Sequence, residues 1–270
     1  MDWLMLLKAI IIGIVEGITE FIPISSTGHM ILVDSFLELS ENKSFTTAFE
    51  VIIQLGAIGS VIVFFWNDLW PFSGSKDKQA ETWNIWLKVL VGVMPAVVLG
   101  LFFNDYIEAH LFNSKVVATT LLLYGVLLIL IEKMHAGSGK IDRVASIPYT
   151  LAIAIGLFQC LAMVPGTSRS AATIIGAMLL GLSRSAAAEY SFFLAIPTMA
   201  GATLLTIAKN GTSFTSFEWL VIGVGFVVSF VVAFAVIKLF MGYIKKHDFT
   251  VFGYYRIVLG LIVLLLLWNK

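Results

Sequence analysis

The chain has 270 residues with 17 basic and 17 acidic side chains; only 13% of its residues are charged, while 59% are hydrophobic. A soluble domain carries about 25% charged residues, so this composition excludes a soluble globular protein and indicates an integral membrane protein. The zero net charge gives no sign of nucleic-acid binding. The single cysteine, Cys160, excludes an intramolecular disulfide and a cysteine-ligated metal cluster.

The first apolar segment contains a polar stretch, GIVEGITEFIPISSTGH, at residues 13–29. Glu16 and Glu20 are four residues apart, so they share one face of a helix. Pro23 lacks an N–H and disfavours helical backbone at the residue before it, which predicts that the helix ends here. Three residues that favour the N-cap of a new helix follow: Ser25, Ser26 and Thr27. A helix start with hydroxyls and free N–H groups is suited to bind an anion.

A membrane-spanning helix needs about 20 mostly apolar residues, and six later segments meet this requirement. They run roughly from Phe45 to Trp66, Trp86 to Phe103, Val116 to Ile131, Ala186 to Ala208, Trp219 to Leu239, and Val251 to Trp268. Two stretches rich in charged residues, glycine and serine, residues 74–78 and 135–143, are predicted to be loops.

Two other regions are too short to span a membrane. After Pro23 only about ten apolar residues precede Glu38, and the run from Pro165 to Leu182 is equally short before Arg184. A helix of this length covers about half of a bilayer core. We interpret both regions as re-entrant hairpins, which are allowed only where protein or a water-filled cavity covers their backbone.

The two hairpins resemble each other in sequence. The stretch from Gly13 to Pro23 aligns with that from Gly156 to Pro165 when one gap is allowed, which indicates an internal repeat. A hairpin returns to its starting side and three spans follow it, so the second copy begins on the opposite side. We therefore predict a single all-α membrane domain, 1–270, made of two inverted repeats, 1–135 and 136–270. Each repeat is a re-entrant hairpin followed by three transmembrane helices, with a site near the midplane.

Loop charge predicts the orientation of the chain. One side carries Lys76, Lys78, Lys88, Lys133, Lys140, Arg143, Arg184, Lys245 and Lys246, whereas the other carries Lys43, Lys115, Lys209 and Lys270. The positive-inside rule makes the first side cytoplasmic. Both termini and the base of the first hairpin then lie outside, and the site opens to the outer face.

The second hairpin carries the motif PGTSRSAAT at residues 165–173. Arg169 is interpreted as the only cation at a hairpin turn, and its guanidinium can hold two phosphate oxygens. Gly166 lets a ligand approach the backbone, and hydroxyls come from Thr167, Ser168, Ser170 and Thr173. If this turn meets the first one, the site combines two carboxylates, an imidazole, an arginine and several hydroxyls. That inventory suits phosphoryl transfer.

Simpler structural explanations compete with this interpretation. Arg169 and Glu20 can form an ion pair that only ties the repeats together, and the first-turn hydroxyls can act only as caps. Glu50 and Glu189, each early in the helix after a hairpin, can support the site or be interfacial charges. Burying Glu16, Glu20 and Arg169 costs roughly 8–10 kcal/mol before pairing, at about 2.5–3.5 kcal/mol each, which favours a function.

EGITEFIPISSTGH and PGTSRSAAT closely resemble the signature stretches of the undecaprenyl-diphosphate phosphatases of the bacitracin-resistance type, and the resemblance covers nearly the whole chain. It implies a multi-pass hydrolase of the bacterial plasma membrane whose substrate is a polyprenyl diphosphate lipid. Such an enzyme recycles the carrier lipid of peptidoglycan synthesis and confers resistance to bacitracin. The family's acidic pair falls on Glu16 and Glu20, its serine on Ser26, its histidine on His29 and its arginine on Arg169.

One small departure from the family pattern is Ala171, where glycine is frequent. A second family, the phosphatidate-phosphatase superfamily, uses similar serine, histidine and arginine elements. It needs a second histidine six residues after the arginine, and that position is Ile175 here. We therefore reject the second assignment.

The sequence leaves several mechanistic choices open. Ser26 is the predicted nucleophile with His29 as general base or leaving-group acid, while direct attack by water with His29 as base is the alternative. Glu16 and Glu20 are predicted to hold a divalent cation, Mg²⁺ or Ca²⁺, or else to orient His29 or Arg169. The predicted phosphate-binding residues are Arg169, Ser25, Thr27, Ser168, Ser170, Thr173 and Gly166.

The same features also fit a transporter, because inverted repeats, broken helices and midplane carboxylates occur in secondary carriers. The alternative function is therefore a flippase for a polyprenyl phosphate that uses the same site. The oligomeric state stays open, with a homodimer as one option. For the enzyme, we expect Arg169 within one phosphate's width of Ser26, His29 and Glu20, near the bilayer midplane.

The orientation can be tested by labelling single cysteines in a Cys160→Ala background. A cysteine at Ser40 should react with an impermeant thiol reagent added to intact cells, because the positive-inside rule places it outside. A cysteine at Gly137 should react only after the membrane is opened. The reverse labelling pattern would contradict the orientation and the outward location of the first hairpin base.

Overall fold

The structure is a computed structural model that describes residues 2–135 and 139–267. Within these ranges the chain is helical apart from turns, short 3-10 segments and an isolated bridge between Ile141 and Leu182. The α-helices are α1 (Trp3–Thr19), α2 (Ser26–Phe36), α3 (Lys43–Phe64), α4 (Trp66–Leu69), α5 (Lys76–Leu111), α6 (Ser114–His135), α7 (Tyr149–Cys160), α8 (Arg169–Leu179), α9 (Arg184–Asn210), α10 (Ser216–Ile244) and α11 (Thr250–Leu267). The predicted labelling position Gly137 and the end of the sixth predicted span, Trp268, lie outside the described residues.

All six predicted spans are confirmed as long apolar helices. Among the described residues, six helices are long and apolar enough to cross a membrane: α3, α5, α6, α9, α10 and α11. The predicted loop at residues 74–78 is wrong in its second half, because α5 begins at Lys76. Ser75 caps that helix, and its hydroxyl accepts a hydrogen bond from the Lys78 N–H. The other predicted loop, residues 135–143, is wrong at His135, which is the last residue of α6. Residues 136–138 lie outside the described residues, and residues 139–143 are non-helical.

The two short helices that follow the predicted hairpin turns are confirmed as short. Both α2 and α8 have 11 residues, which corresponds to a length of roughly 16 Å. Each begins after a serine with positive φ, 73° at Ser25 and 71° at Ser168. Each serine hydroxyl accepts a hydrogen bond from the N–H three residues later, at Gly28 and Ala171. Two turns with the same backbone shape therefore start the two short helices.

This shared cap corrects the alignment of the two hairpins. Ser25 and Ser168 are equivalent by conformation, and the same spacing pairs Gly13 with Gly156 without any gap. The gap that paired Pro23 with Pro165 was wrong. The two short helices begin at equivalent serines, and the prolines are offset by one residue. In the corrected alignment, Ser26 is the counterpart of Arg169.

The helix of each predicted hairpin packs closely on a long helix from the other half of the chain. Helix α1 contacts α10, where a Cβ atom on Gly13 would lie 2.8 Å from the Gly225 carbonyl oxygen. Helix α7 contacts α5, where a Cβ atom on Gly156 would lie 2.0 Å from the Gly92 carbonyl oxygen. Glycines thus allow the close backbone approach typical of membrane helices. This packing holds both turns in the interior of the molecule.

Candidate active site

The two acidic residues of the first motif share one helix face, as predicted. Helix α1 ends at Thr19, but Glu20 keeps helical backbone angles and its N–H donates to the Glu16 carbonyl oxygen over 3.0 Å. Both carboxyl groups are buried, and they are close enough to interact directly. An acidic pair inside the helical core needs cations, donors or protons to offset the cost of burial.

Ser26, the predicted nucleophile, lies at the first position of α2 and donates its hydroxyl hydrogen bond to Glu16 Oε2. The other oxygen of this carboxyl group, Oε1, is buried and faces no hydrogen-bond donor. The Ser26 hydroxyl is therefore bonded to the side chain of Glu16 and not to an imidazole. Sequence interpretation had named His29 as the base for this residue.

Arg169, at the start of α8, joins the second turn to the first. Its Nη2 donates to Glu20 Oε1 over 3.0 Å, and its Nη1 donates to the Ser191 carbonyl oxygen over 2.8 Å. Both side chains of the ion pair are less than one-tenth exposed. Nε of the same guanidinium is buried without a partner, so this N–H is available to a ligand. The expected proximity of Arg169 and Glu20 is confirmed.

The hydroxyls of the second motif mostly stabilise the turn itself. Thr173 donates to the Arg169 carbonyl oxygen and lies 2.6 Å from the Ser191 hydroxyl. Ser170 lies 3.0 Å from the Ser168 hydroxyl and reaches the Ile22 carbonyl oxygen of the first turn over 3.4 Å. These contacts show a structural use for the hydroxyls. Phosphate binding by Ser168, Ser170 and Thr173 stays a prediction.

The backbone at Gly166 is too close to α6 for any side chain at this position. Its φ is +84°, and a Cβ atom there would lie 2.2 Å from the Thr120 hydroxyl oxygen. The same hydroxyl donates to the Pro165 carbonyl oxygen over 2.7 Å. Helix α6 therefore fills the space beside Gly166, and phosphate binding at this backbone stays a prediction.

His29 lies on α2 but forms its hydrogen bonds away from Ser26. Its Nδ1 is 2.7 Å from the Ser25 carbonyl oxygen, and its Nε2 is 2.7 Å from the Tyr255 hydroxyl. The ring is only partly buried, in contrast to Ser26. Thr27, the remaining predicted phosphate ligand of the first motif, lies half-buried in the first turn of α2. Its role also stays a prediction.

The sequence interpretation missed a second cation at the turns. Arg256 of α11 is fully buried, and its guanidinium donates to the carbonyl oxygens of Gly166 at 2.8 Å, Thr167 at 3.0 Å and Pro23 at 3.3 Å. One side chain therefore holds both turns, and describing Arg169 as the only cation there was wrong. A signal was present in the sequence, because Arg256 is a charged residue inside a predicted span.

The described residues contain no group of three or more His, Cys, Asp or Glu side chains arranged to hold a metal ion. The pair Glu16 and Glu20 supplies only two carboxyl groups, and Glu16 Oε1 accepts no hydrogen bond. Two carboxylates with additional oxygens from a phosphate are a donor set that suits Mg²⁺ or Ca²⁺. Cation binding at this pair stays a prediction.

The helices and this buried polar cluster define a multi-pass helical membrane protein with an ionisable site at two interior turns. Residues 9–262 match the family model described as "Bacitracin resistance protein BacA". The chain belongs to this family.

Curated relatives extend over nearly the whole chain. It is 56% identical over 259 residues to Undecaprenyl-diphosphatase 1 of Clostridioides difficile, which covers 95% of this chain and 94% of the relative. It is 51% identical over 271 residues to Undecaprenyl-diphosphatase of Enterococcus faecalis, with 98% of each chain covered. It is 54% identical over 264 residues to the Fusobacterium nucleatum protein of the same name, which covers 96% of this chain and 99% of the relative.

The role of Arg256 can be tested by thermal unfolding of purified variants in detergent. Arg256→Lys keeps the charge but replaces several donors in a fixed plane by one ammonium, so buried carbonyls lose partners. Each unsatisfied group costs about 1–3 kcal/mol, so we expect a clearly lower midpoint. Arg143→Lys is the control, because Arg143 pairs with Glu81 on the exposed surface and should change little. Equal midpoints for Arg256→Lys and wild type would contradict the assigned clamp.

Proposed function

We propose that this chain hydrolyses undecaprenyl diphosphate to undecaprenyl phosphate and inorganic phosphate, as the names of its relatives state for them. The observation that carries the proposal is the meeting of the two turns. Ser26 donates a hydrogen bond to Glu16, and Arg169 forms an ion pair with Glu20. The two acidic residues are neighbours on one helix face. A hydroxyl, a proton acceptor and a phosphate-binding cation are thus brought together from distant parts of the chain.

When substrate binds, Arg169 exchanges its bond to Glu20 for bonds to phosphate oxygens. The terminal phosphate of the lipid takes the guanidinium edge now bound to Glu20, and Nε supplies a further donor. Ser191 keeps its carbonyl bond to Nη1 and so holds the arginine in place. The site residues are nearly inaccessible to solvent in this arrangement. An opening movement therefore precedes substrate entry.

The chemistry proceeds in two displacements. Ser26 Oγ attacks the terminal phosphorus, the Oγ–P bond forms and the anhydride P–O bond breaks, so undecaprenyl phosphate leaves. Glu16, which already accepts the Ser26 hydroxyl, takes the proton. Water then attacks the phosphoserine, inorganic phosphate leaves and the proton returns to Ser26. Direct attack by water on the lipid diphosphate is the competing scheme.

Glu16 and Glu20 are the residues that would hold a divalent cation. Glu16 Oε1 faces no donor, and Glu20 supplies the second carboxylate. When bound, the cation neutralises charge on the phosphate oxygens. The two carboxylates otherwise act as proton acceptor and arginine partner, as their present bonds indicate.

The proposed architecture is a pair of inverted repeats with re-entrant hairpins, and the turns lie near the midplane in a site that opens to the outer face when substrate enters. Two observations support it: the equal backbone of the two caps, and the reciprocal packing of α1 on α10 and α7 on α5. The enzyme would then regenerate the carrier lipid on the outer side of the bacterial plasma membrane. That activity would confer resistance to bacitracin.

A flippase for polyprenyl phosphate is the second candidate. It is favoured by the partly buried carboxyl side chains Glu50 on α3 and Glu189 on α9, which lie on corresponding spans of the proposed repeats. Intramembrane carboxyl groups of this kind are typical of coupled transport. Phosphate release in detergent separates the two functions, because transport requires a membrane.

The phosphatase proposal predicts that purified wild-type protein in detergent releases phosphate from a polyprenyl diphosphate. Arg169→Lys should lower turnover at least about 100-fold, because an ammonium cannot reproduce the two-pronged grip on phosphate. Arg143→Lys, on the exposed surface, should keep wild-type turnover. A wild-type protein that releases no phosphate would refute the enzyme, and near-normal turnover of Arg169→Lys would leave Arg169 a structural role only.

The cation proposal predicts a change in metal dependence when one carboxylate is removed. Glu16→Gln and Glu20→Gln should each raise the Mg²⁺ or Ca²⁺ concentration for half-maximal activity by about tenfold or more, since even outer-shell partners are worth about 10–100-fold. Residual turnover is measured while the cation is titrated after chelation. An unchanged dependence in both variants would eliminate the two residues as ligands.

A further inference from the structure

The hydrogen bonds of His29 fix which of its nitrogens carries the proton. Nδ1 lies 2.7 Å from the Ser25 carbonyl oxygen, and a carbonyl can only accept, so Nδ1 is the N–H. In the neutral ring Nε2 is then an acceptor. The Tyr255 hydroxyl, 2.7 Å from Nε2, is the donor that completes this arrangement.

We propose that Tyr255 is a positioning residue of the active site, which holds His29 in the orientation and tautomer that present an unprotonated Nε2. This inference rests on the proposed phosphatase function. Since the Ser26 hydroxyl is already bonded to Glu16, the imidazole is left for the second displacement, in which water loses a proton. Only a ring whose Nε2 carries no proton can take that proton, and the Tyr255 hydroxyl must release the Nε2 lone pair as it does so.

The position of Tyr255 is fixed by its neighbours on α11. Helix α11 packs against α6 through a close approach, where a Cβ atom on Gly253 would lie 2.8 Å from the Gly125 carbonyl oxygen. The next residue, Arg256, binds the Pro23 carbonyl oxygen just before α2 begins. The Tyr255 and His29 rings lie 10° from parallel with centroids 5.6 Å apart. The register between α11 and the first turn therefore sets the contact.

This pair is more exposed than the other residues of the site. Tyr255 is 46% exposed and His29 is partly buried, whereas Ser26 is 8% exposed and Glu16 is 1% exposed. The pair is thus the more exposed part of the polar cluster, and we place the approach of water to the phosphoserine on this side.

The test compares Tyr255→Phe with Tyr254→Phe, its neighbour on the same helix, which is 56% exposed. The full-length proteins are purified in detergent and assayed with a polyprenyl diphosphate. Tyr255→Phe should lower kcat about 5–10-fold, the equivalent of one hydrogen bond, with KM within about twofold. Tyr254→Phe should match wild type. Wild-type kcat in Tyr255→Phe, an equal loss in both variants, or a loss confined to KM would overturn the positioning role.

A double-mutant cycle with His29→Gln shows whether Tyr255 acts through the imidazole. Once His29 is replaced, adding Tyr255→Phe should cause no further loss of kcat, because residues that act as a unit are not additive. Independent, additive losses would overturn the proposal. If wild-type protein releases no phosphate, the proposed function fails at that point, and the next measurement still decides the role of Tyr255.

Nitrogen NMR of ring-labelled histidine reports the tautomer without any activity measurement. The His29 signals are assigned by their absence in His29→Gln. Wild-type protein should show a protonated Nδ1 and an unprotonated Nε2, and Tyr255→Phe should shift these signals toward a mixture of tautomers, while Tyr254→Phe should not. The opposite tautomer in wild type, or identical spectra in wild type and Tyr255→Phe, would refute the inference.

Discussion

The structure depends on a requirement for hydrogen-bond donors at two interior turns. Where the helices end before Ser25 and Ser168, backbone carbonyl groups lose their helical partners inside an apolar core, and leaving them unpaired costs several kcal/mol each in a membrane. Arg256 satisfies carbonyls of both turns with one guanidinium. Because that side chain reaches both turns at once, it fixes their separation and so the distance between the groups they carry.

The use of Arg256 to satisfy these carbonyl groups also adds a positive charge beside the site. Among the ion pairs of the described residues, Arg169 is matched by Glu20, whereas Arg256 has only carbonyl oxygens and the face of Tyr124 around it. Its positive charge is therefore offset by dipoles and not by an acid. The charge of Arg256 therefore lies behind the turns, in surroundings where screening by water is weak. In the proposed mechanism, this charge would add to that of Arg169 in favouring an anionic substrate.

Each residue of the acidic pair contacts a different turn. Glu16 accepts the hydroxyl at the start of α2, and Glu20 pairs with the arginine at the start of α8. Ser26 and Arg169 are the first residues of α2 and α8 and are equivalent in the corrected alignment. One helix face therefore contacts the first residue of both short helices. In the proposed mechanism, this position supplies the reacting hydroxyl in one turn and the phosphate-binding cation in the other. His29 and Tyr255 are more exposed than Ser26 and Glu16.

Local sequence was enough for the spans, the two short helices, a cap among Ser25, Ser26 and Thr27, and the shared face of Glu16 and Glu20, since these follow from hydropathy, proline, capping preference or helical spacing. It did not predict the cap at Ser168. The charged residues of the two motifs also indicated the ion pair between Glu20 and Arg169. The sequence gap was misplaced because a positive φ at serine leaves no trace in composition. The partners of Ser26 and His29, and the clamp by Arg256, were decided only by tertiary structure. Arg256 and Tyr255 lie more than 200 residues from Pro23 and His29, and only the packing of α11 on α6 brings them together.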